Sequence, residues 1–351
     1  MVSRPFVFAV PGDLATPTGG YAYDRRMITE LERLQWVAEI LDLGGEFPRP
    51  SAACRAAAQA KLAAVPAGRP IVVDGLALGV LPEAAASMAT THPLIALVHH
   101  PLALETGLSR AEADLFRLSE RAALAAAHQV VVTGKATARL LAADYGVPPE
   151  RITVAVPGID TVAAAARQHD GPVVLLSVGA LVPRKGYDVL LSALATLADL
   201  PWRLTIVGAR DRDPATAANL EAMIAAHGLA ERVTLVGAVA EERLAELYGE
   251  ADLFVLASRF EGYGMAFAEA LAHGLPVIGT IAGAVPETVP AGTGILVPPD
   301  DTVALAQALR RLIDNHEERR VLAAGARRAA ALLPSWAHSA QIFSHVLERA
   351  A

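Results

Sequence analysis

Two carboxylates, Glu261 and Glu269, flank a glycine turn and the beginning of a predicted helix. The apolar run 253–257 predicts a buried strand before them, and Gly262 and Gly264 predict a sharp turn into the helix MAFAEALAHG. The first N–H groups of a helix lack partners within it and carry the positive end of its dipole, so they attract phosphate. A carboxylate on either side of a phosphate could accept hydrogen bonds from sugar hydroxyls. The layout therefore predicts a site for a nucleotide that carries a sugar.

A basic pair occupies a similar position earlier in the chain. Lys185 lies in the turn GALVPRKGYD, just ahead of a predicted helix, where a cation could meet a diphosphate. Arg184 beside it could share this task or point to solvent. A lysine before a helix is usually a surface charge, so the phosphate interpretation depends on the two glutamates.

The first half of the chain offers a glycine pair and a histidine pair. Gly19 and Gly20 follow the predicted strand 6–10, where they could let the backbone approach a ligand or simply form a strand-to-helix turn. His99 and His100 end the predicted strand LIALVHH, at the carboxyl edge where doubly wound sheets bind ligands. The alternative is one core histidine and one surface histidine, both without a role in binding.

Several familiar site patterns are missing from the sequence. Neither the dinucleotide pattern GxGxxG nor the phosphate-loop pattern GxxxxGK[ST] occurs, which weighs against a standard NAD enzyme and a P-loop NTPase. Asp211 and Asp213 have DxD-like spacing, but they stand on an acidic connection that we expect to be solvated. We therefore predict no metal site and no cofactor.

Alternating strands and helices must position these residues, and the sequence supplies this alternation twice. Such alternation predicts parallel sheets covered by helices on both faces. We expect an α/β fold with two Rossmann-like, doubly wound domains, 1–165 and 172–334, that face each other across a cleft. Residues 161–172 are the predicted linker, and 335–351 are predicted to form a separate amphipathic helix.

Composition indicates a globular protein of 351 residues, with 53% hydrophobic and 19% charged residues. A net charge of −7 does not favour nucleic acid as a partner.

The single cysteine excludes an intramolecular disulfide, and the sequence shows neither a signal peptide nor a transmembrane run. We predict a cytoplasmic location. Three arginines of the segment 109–128 could contact an anionic acceptor or a membrane surface, but a solvated helix face explains them better, because three acidic residues are interleaved with them.

The ordered set of motifs resembles the retaining glycosyltransferases of family 4, whose two-Rossmann-domain fold is called GT-B. The resemblance spans nearly the whole chain and rests on Gly19-Gly20, VHHP at 98–101, VPGID at 156–160, VGALVPRKG at 178–186, EGYGMAFAE at 261–269, GLPVIGT at 274–280 and PSW at 334–336. It implies transfer of a hexose from a UDP- or GDP-sugar to an acceptor hydroxyl, without a metal. A glycan, lipid, protein or small-molecule acceptor would fit.

The resemblance also implies roles for single residues near the donor. Glu269 looks like the carboxylate that binds the nucleotide ribose, and Glu261 like the one beside the donor sugar. Lys185 would neutralise the phosphates, and Val239 would lie near the base. The backbone amides that would hold the diphosphate and the sugar are those of Tyr263, Gly264, Met265 and Ala266.

In the first half, the resemblance implies that Gly19 and Gly20 approach the donor phosphates. His99 or His100 would then reach the transferred sugar. It further implies that the last helix, 335–351, packs on the N-terminal domain, and that the linker and the region 332–336 act as hinges.

One position departs from the family pattern. Many members carry arginine directly after the glycine of the VG turn, whereas this chain has Ala180. Arg184 or Arg210 could compensate for the missing charge. The departure motivates one alternative, a nucleotide-sugar-binding protein with impaired catalysis. A separate alternative is another GT-B enzyme, such as a nucleotide-sugar epimerase or a pyridoxal-dependent phosphorylase with Lys185 as its Schiff-base lysine.

Overall fold

The computed structural model describes residues 4–160 and 171–350. Contacts divide the chain into two compact units. The first comprises Met1–Thr16, Gly20–Gly158 and Pro334–Ala351, and the second comprises Pro17–Gly19 and Ile159–Leu333. Most of the predicted linker, residues 161–170, lies outside the described residues.

The first unit is built on one sheet. Its strands are β1 (Arg4–Val10), β2 (Trp36–Asp42), β3 (Ile71–Asp74), β4 (Leu94–Val98), β5 (Gln129–Val132) and β6 (Ile152–Val154). They form a six-stranded sheet in the order β2-β1-β3-β4-β5-β6, and every neighbouring pair is parallel. The strands β3 and β4 are buried at every position, as expected for a sheet covered on both faces.

Helices connect and cover these strands. They are α1 (Gly19–Arg33), α2 (Ala52–Ala63), α3 (Gly75–Leu78), α4 (Pro82–Ala89), α5 (Arg110–Ala126), α6 (Lys135–Asp144) and α14 (Trp336–Ala350). The helix α5 begins at a capping box, in which Ser109 and Glu112 bond each other's backbone amides. The helix α14 belongs to the first unit and packs against β5 and β6.

The second unit repeats the scheme. Its strands are β7 (Val173–Val178), β8 (Trp202–Val207), β9 (Val233–Gly237), β10 (Leu253–Val255), β11 (Val277–Thr280) and β12 (Gly294–Val297). The parallel sheet has the order β12-β11-β10-β7-β8-β9. Its helices are α7 (Tyr187–Ala195), α8 (Pro214–Ala226), α9 (Glu241–Glu250), α10 (Met265–Ala272), α11 (Val285–Thr288), α12 (Thr302–Asp314) and α13 (His316–Ala330).

Two Rossmann-like parallel sheets confirm the predicted α/β fold class. The three arginines predicted on one helix, Arg110, Arg117 and Arg121, are exposed on α5. Within residues 4–160 and 171–350, no helix has both the length and the apolar character that crossing a membrane requires.

Candidate functional site

Lys185 and Glu261 form an ion pair in the second unit. Lys185 Nζ donates to Glu261 Oε1 at 2.7 Å, and Ser258 Oγ donates to the same oxygen at 2.6 Å. Arg184 Nη1 lies 3.6 Å from the other oxygen, Oε2. Burial raises the pKa of Glu261, but the charges of Lys185 and Arg184 outweigh it, so the pKa lies below its ordinary value. Glu261 is therefore a buried carboxylate that stays ionised.

A left-handed glycine holds the turn that carries Lys185. Gly186 has φ of 66°, and a Cβ built there would lie 2.0 Å from the carbonyl oxygen of Ala257. Only glycine fits this conformation and this close approach. This contact holds the start of α7 against Ala257, in the segment that follows β10 and leads to Glu261.

Arg259 ties the same turn to its surroundings. Its backbone N–H donates to the Arg184 carbonyl at 2.8 Å. Its guanidinium binds Asp188 at 2.7 Å and Asp300 at 2.7 Å. These bonds connect three loops at the carboxyl edge of the second sheet.

The N-terminus of α10 lies next to Glu261 in the chain. Gly264 precedes the helix with φ of 89°, a conformation that glycine adopts without strain. The first intrahelical bond is donated by Phe267 to the Gly264 carbonyl, so the amides of Met265 and Ala266 precede it. Tyr263 and Gly264 form the turn itself. This is the predicted arrangement of amides that could bind an anion.

Glu269 meets a partner that the sequence did not reveal. Tyr248 donates its hydroxyl to Glu269 Oε2 at 2.8 Å, and the Tyr248 ring stacks on His273 at 5.0 Å between centroids. Burial raises the pKa of Glu269 to about 7, against the lowering effect of the Tyr248 bond, and Glu241 and Asp160 raise it further. Glu261 and Glu269 thus have opposite pKa shifts.

In the first unit, His99 lies between two aspartates. Its Nε2 is 3.1 Å from Asp24 Oδ1 and 3.8 Å from Asp74 Oδ2. One ligand atom from each of the three side chains lies within 4.8 Å of the others, close enough for one cation to contact all three. A Cβ on Gly20 would lie 3.3 Å from the His99 ring, so the glycine permits this close packing.

His100 faces a different partner. Its Nε2 lies 3.2 Å from Glu105 Oε2, and the Glu105 side chain is 42% exposed. The two adjacent histidines therefore have separate hydrogen-bond partners.

The structure places the remaining residues that were predicted for the site as follows. Val239 packs against the core of the second unit, and Gly19 is the first residue of α1. Ala180 is half-buried and provides no charge beside Lys185. Arg210 pairs with Glu221, and both side chains are about half exposed. Asp213, from the DxD-like pair, caps α8 by accepting from Thr216 N at 2.9 Å.

Asp24, Asp74 and Tyr248 contact predicted site residues, and the sequence analysis did not name them. For the two aspartates, the sequence does contain a signal, which is their position relative to Gly20 and to the end of a strand. Asp24 lies one helical turn after Gly20, on the same helix face. Asp74 ends β3 and pairs with Leu97 of β4, so it reaches the same sheet edge as His99.

Comparison with known families shows to which family the chain belongs. Residues 28–163 match the family model described as Glycosyltransferase Family 4, and residues 160–329 match the one described as Glycosyl transferases group 1. The chain belongs to glycosyltransferase family 4. The resemblance read from the motifs is therefore confirmed.

Two curated relatives of this family 4 chain are about one-third identical to it. The MMP alpha-(1->4)-mannosyltransferase of Mycolicibacterium hassiacum is 30% identical over 74% of this chain. The D-inositol 3-phosphate glycosyltransferase of Thermobispora bispora is 34% identical over 73% of this chain. The matched region covers 66% of each relative's own length.

Solved structures show the same fold. Sucrose-phosphate synthase from Thermosynechococcus elongatus superposes with a TM-score of 0.82, at 22% identity, over 99% of this chain and 98% of that one. Anabaena HepE in complex with UDP and glucose gives a TM-score of 0.78 at 20% identity, over 97% and 99% of the two chains. These neighbours confirm the expected GT-B fold.

Proposed function

We propose that this family 4 chain is a retaining glycosyltransferase that moves a hexose from a UDP- or GDP-sugar to an acceptor hydroxyl without a metal. The observation that carries the proposal is the buried pair of Lys185 and Glu261, 2.7 Å apart, beside the N-terminus of α10. A cation, a carboxylate and free helix amides are the groups that a sugar diphosphate requires.

The chemistry follows from where charge develops. When the bond between sugar and phosphate breaks, negative charge grows on the diphosphate, and Lys185 and the amides of Met265 and Ala266 would stabilise it. Glu261, which stays ionised, would accept hydrogen bonds from the donor sugar. Glu269 would accept hydrogen bonds from the ribose.

In a retaining reaction, the acceptor attacks the face from which the diphosphate leaves. A donor phosphate oxygen would then take the acceptor's proton. No protein group has to act as the base in this scheme, which fits a site whose ionised carboxylate is already bonded to Lys185 and Ser258.

The relatives support sugar transfer as the reaction class. Their names describe a mannosyltransferase and a D-inositol 3-phosphate glycosyltransferase, and HepE was solved with UDP and glucose. We infer a UDP- or GDP-sugar as the donor for this chain as well, while the acceptor remains a hydroxyl of a glycan, lipid or small molecule.

A thermal-shift panel with UDP, GDP, ADP and their sugars tests the donor, because a ligand that binds the folded state raises its stability. Product formation is then measured with the stabilising donor.

We expect Glu269→Ala to weaken nucleotide binding and Glu261→Ala mainly to lower kcat. Unchanged kinetics in both variants would contradict the proposal, and Glu231→Ala, at an exposed position, is the matched control.

Ala180 favours a second candidate, a nucleotide-sugar-binding protein with impaired catalysis. The site would then bind the donor through Glu269 and the α10 amides but lack charge for the leaving diphosphate. Stabilisation by a nucleotide sugar without product from any acceptor would support this candidate, and any transfer product eliminates it.

A further inference from the structure

We infer that the outer face of α5 is a docking surface for a lipid bilayer with negatively charged headgroups. The helix lies along the bilayer surface, with its two exposed leucines among the lipid chains and its arginines at the phosphates. This inference goes beyond the proposed sugar transfer, because it depends only on residues of the first unit and on no donor or acceptor.

An apolar stripe runs along the outer face of α5. Its members, Ala111, Leu115, Leu118 and Ala122, follow one another at intervals of four, three and four residues, which places them on one face of a helix. All four are exposed, and Leu115 and Leu118 are 67% and 66% exposed. The interleaved charges of this segment favoured a solvated polar face. The structure shows instead that two large apolar side chains point outward together.

Polar contacts fix which face of α5 points outward. On the opposite side of the helix, the buried Glu120 accepts a hydrogen bond from the backbone N–H of Leu102 at 3.1 Å. At the first turn, the capping box of Ser109 and Glu112 holds the N-terminus. The helix cannot rotate its leucines inward without breaking these bonds. Their exposure therefore belongs to the folded first unit.

Arginines line one flank of the apolar stripe. Arg110, Arg117 and Arg121 each precede a member of the stripe by one residue, which places them about 100° around the helix from it. All three are exposed, and Asp114 shares their flank. An arginine can lay its apolar stem against lipid chains while its guanidinium binds phosphate. This flank suits the boundary between lipid chains and headgroups.

A groove borders the apolar stripe on its other side. It has a volume of about 530 Å³, and its apolar walls include Pro48, Val80 and Phe116. Arg49 and Arg55 also line it, and the Arg49 side chain is 63% exposed. Sites of this volume hold small molecules, so a phospholipid headgroup has room beside the two arginines.

The charge of this surface favours an anionic bilayer over a second copy of the chain. The flank and the lining of the groove hold five arginines, against three acidic residues when Glu112, which binds Arg49, is counted with Glu83 and Asp114. Two copies of a positive surface repel each other. Two leucines are also a small part of the roughly 1,200 Å² or more that a stable protein interface buries.

A bilayer meets both conditions. Its negative surface attracts arginines, and it accepts a short apolar stripe without a matching shape. The chain as a whole has a net charge of −7, so an anionic surface repels most of the molecule and attracts this positive region. The same charges that bind α5 would therefore also orient the chain.

Sedimentation of the full chain with lipid vesicles tests the inference. One set of vesicles is phosphatidylcholine alone, and the other contains about one quarter phosphatidylglycerol, an anionic lipid. We expect binding to the anionic vesicles to be about tenfold stronger or more, and to weaken about tenfold when the salt concentration rises from about 0.1 to about 0.5 M. Equal binding to both sets, or binding to neither, would overturn the inference.

A leucine variant tests the apolar stripe. Leu115→Ser combined with Leu118→Ser should lower the affinity for anionic vesicles about tenfold or more, because it removes the side chains that enter the lipid. The matched control is Val303→Ser combined with Val321→Ser on the second unit, where the valines are 66% and 57% exposed. Melting temperatures are recorded for both variants. Equal losses of binding in the two variants would contradict a role of α5.

An arginine variant tests the charge. Replacing the three arginines of the flank with glutamine should reduce the preference for anionic over neutral vesicles to about twofold or less. The control replaces three exposed arginines of the second unit and should keep the preference. The test variant is Arg110→Gln, Arg117→Gln and Arg121→Gln, and the control is Arg203→Gln, Arg212→Gln and Arg328→Gln. A preference that survives in the test variant would overturn the assignment of this flank.

A fluorescent label shows whether α5 itself enters the lipid. Cys54 is the single cysteine, so Cys54→Ser with Leu118→Cys gives one site for a fluorophore whose emission moves to shorter wavelength in apolar surroundings. We expect this shift on anionic vesicles, and no shift for the same label at Val303→Cys. Equal shifts at the two positions would indicate adsorption without orientation and would contradict the inference.

Sedimentation velocity without vesicles tests the competing occupant. We expect the wild-type chain and the leucine variant to have the same mass in solution. A dimer that dissociates in Leu115→Ser with Leu118→Ser would assign the face to a second copy of the chain and overturn the inference. Sugar transfer enters none of these measurements, so a failure of the proposed function leaves their result intact.

Discussion

Lys185 Nζ lies 2.7 Å from Glu261 Oε1, so the cation assigned to the diphosphate and the carboxylate assigned to the sugar neutralise each other. A bound donor would give each of them a new partner. Lys185 would then face phosphate oxygens, and Glu261 would face sugar hydroxyls. The pair keeps both groups ionised and aimed at the same place, which lowers the reorganisation that binding demands.

The contributions of Lys185 and Glu261 to the free energy of unfolding should be strongly coupled. Removing only the ammonium group with Lys185→Met leaves the buried Glu261 with Ser258 and, at 3.6 Å, Arg184 as its partners, and we expect a loss of about 3 kcal/mol in the free energy of unfolding. Adding Glu261→Gln should recover most of that loss. Urea denaturation of the two single variants and the double variant measures the coupling, with Lys135→Met on α6 as the exposed control. Additive losses would contradict the ion pair.

Glu269 should make stability depend on pH. Its pKa rises from an ordinary 4.5 to about 7 on folding, so the folded chain holds this proton more tightly than the unfolded chain. The benefit is complete below pH 4.5 and is lost as the pH rises through 7, by about 2–3 kcal/mol. Glu269→Gln should remove this slope. Unfolding curves between pH 5 and 8 test it, with Glu231→Gln as control; identical slopes for Glu269→Gln and wild type would refute it.

Tyr248 should set the ionisation of Glu269. Tyr248→Phe deletes the hydroxyl that donates to Glu269 Oε2, a bond that lowers the pKa of Glu269. We expect that pKa to rise further above 7 and the affinity for a nucleotide at pH 7 to fall about fivefold, equivalent to about 1 kcal/mol. Calorimetric titration measures the affinity. Tyr145→Phe, in the first unit, should leave it unchanged, and an equal effect of both substitutions would contradict the prediction.

Restoring a cation at position 180 should strengthen donor binding. Arg210, one candidate for compensation, is paired with Glu221, and Arg184 lies beside Glu261 and Phe260. Ala180→Arg should therefore lower the Kd for a nucleoside diphosphate about tenfold, equivalent to about 1.5 kcal/mol. Ala180→Met adds comparable length without charge and should not. A gain with methionine, or none with arginine, would show that the diphosphate does not approach this turn.

Gly186 should tolerate no side chain. An alanine there combines a left-handed φ of 66° with a Cβ placed 2.0 Å from the Ala257 carbonyl oxygen. We expect Gly186→Ala to cost about 3 kcal/mol in stability and to displace Lys185. Gly228 has a φ of 67° but open space around its Cβ position, so Gly228→Ala isolates the backbone strain and should cost about 1 kcal/mol. Equal costs would mean that the Ala257 contact is unimportant.

Periodic and local signals predicted most of the fold. The alternation of apolar runs with amphipathic helices located the described strands of both sheets except β12, and the glycine turn at 262–264 located the beginning of α10. These features depend on residues near one another in the sequence. The strand Gly294–Val297 was not identified as a strand, because its apolar run is short and lies between glycine and proline.

The partners of the site residues were harder to predict. Tyr248 precedes Glu269 on another helix, and Asp24 and Asp74 meet His99 only because α1, β3 and β4 converge at one sheet edge. Such contacts follow from strand order and helix rotation, which no short pattern encodes. Burial, and with it the pKa of Glu269, depends on the same long-range packing.

The return of α14 to the first unit has a consequence for biosynthesis. A ribosome makes β1 to β6 early, but Trp336, which packs at Gly158 and against Tyr23, follows only after the second unit has been translated. At ordinary elongation rates this interval lasts about 10–35 s. During that time the nascent first unit keeps an apolar surface uncovered, and its completion waits for α14, which emerges only after the second unit.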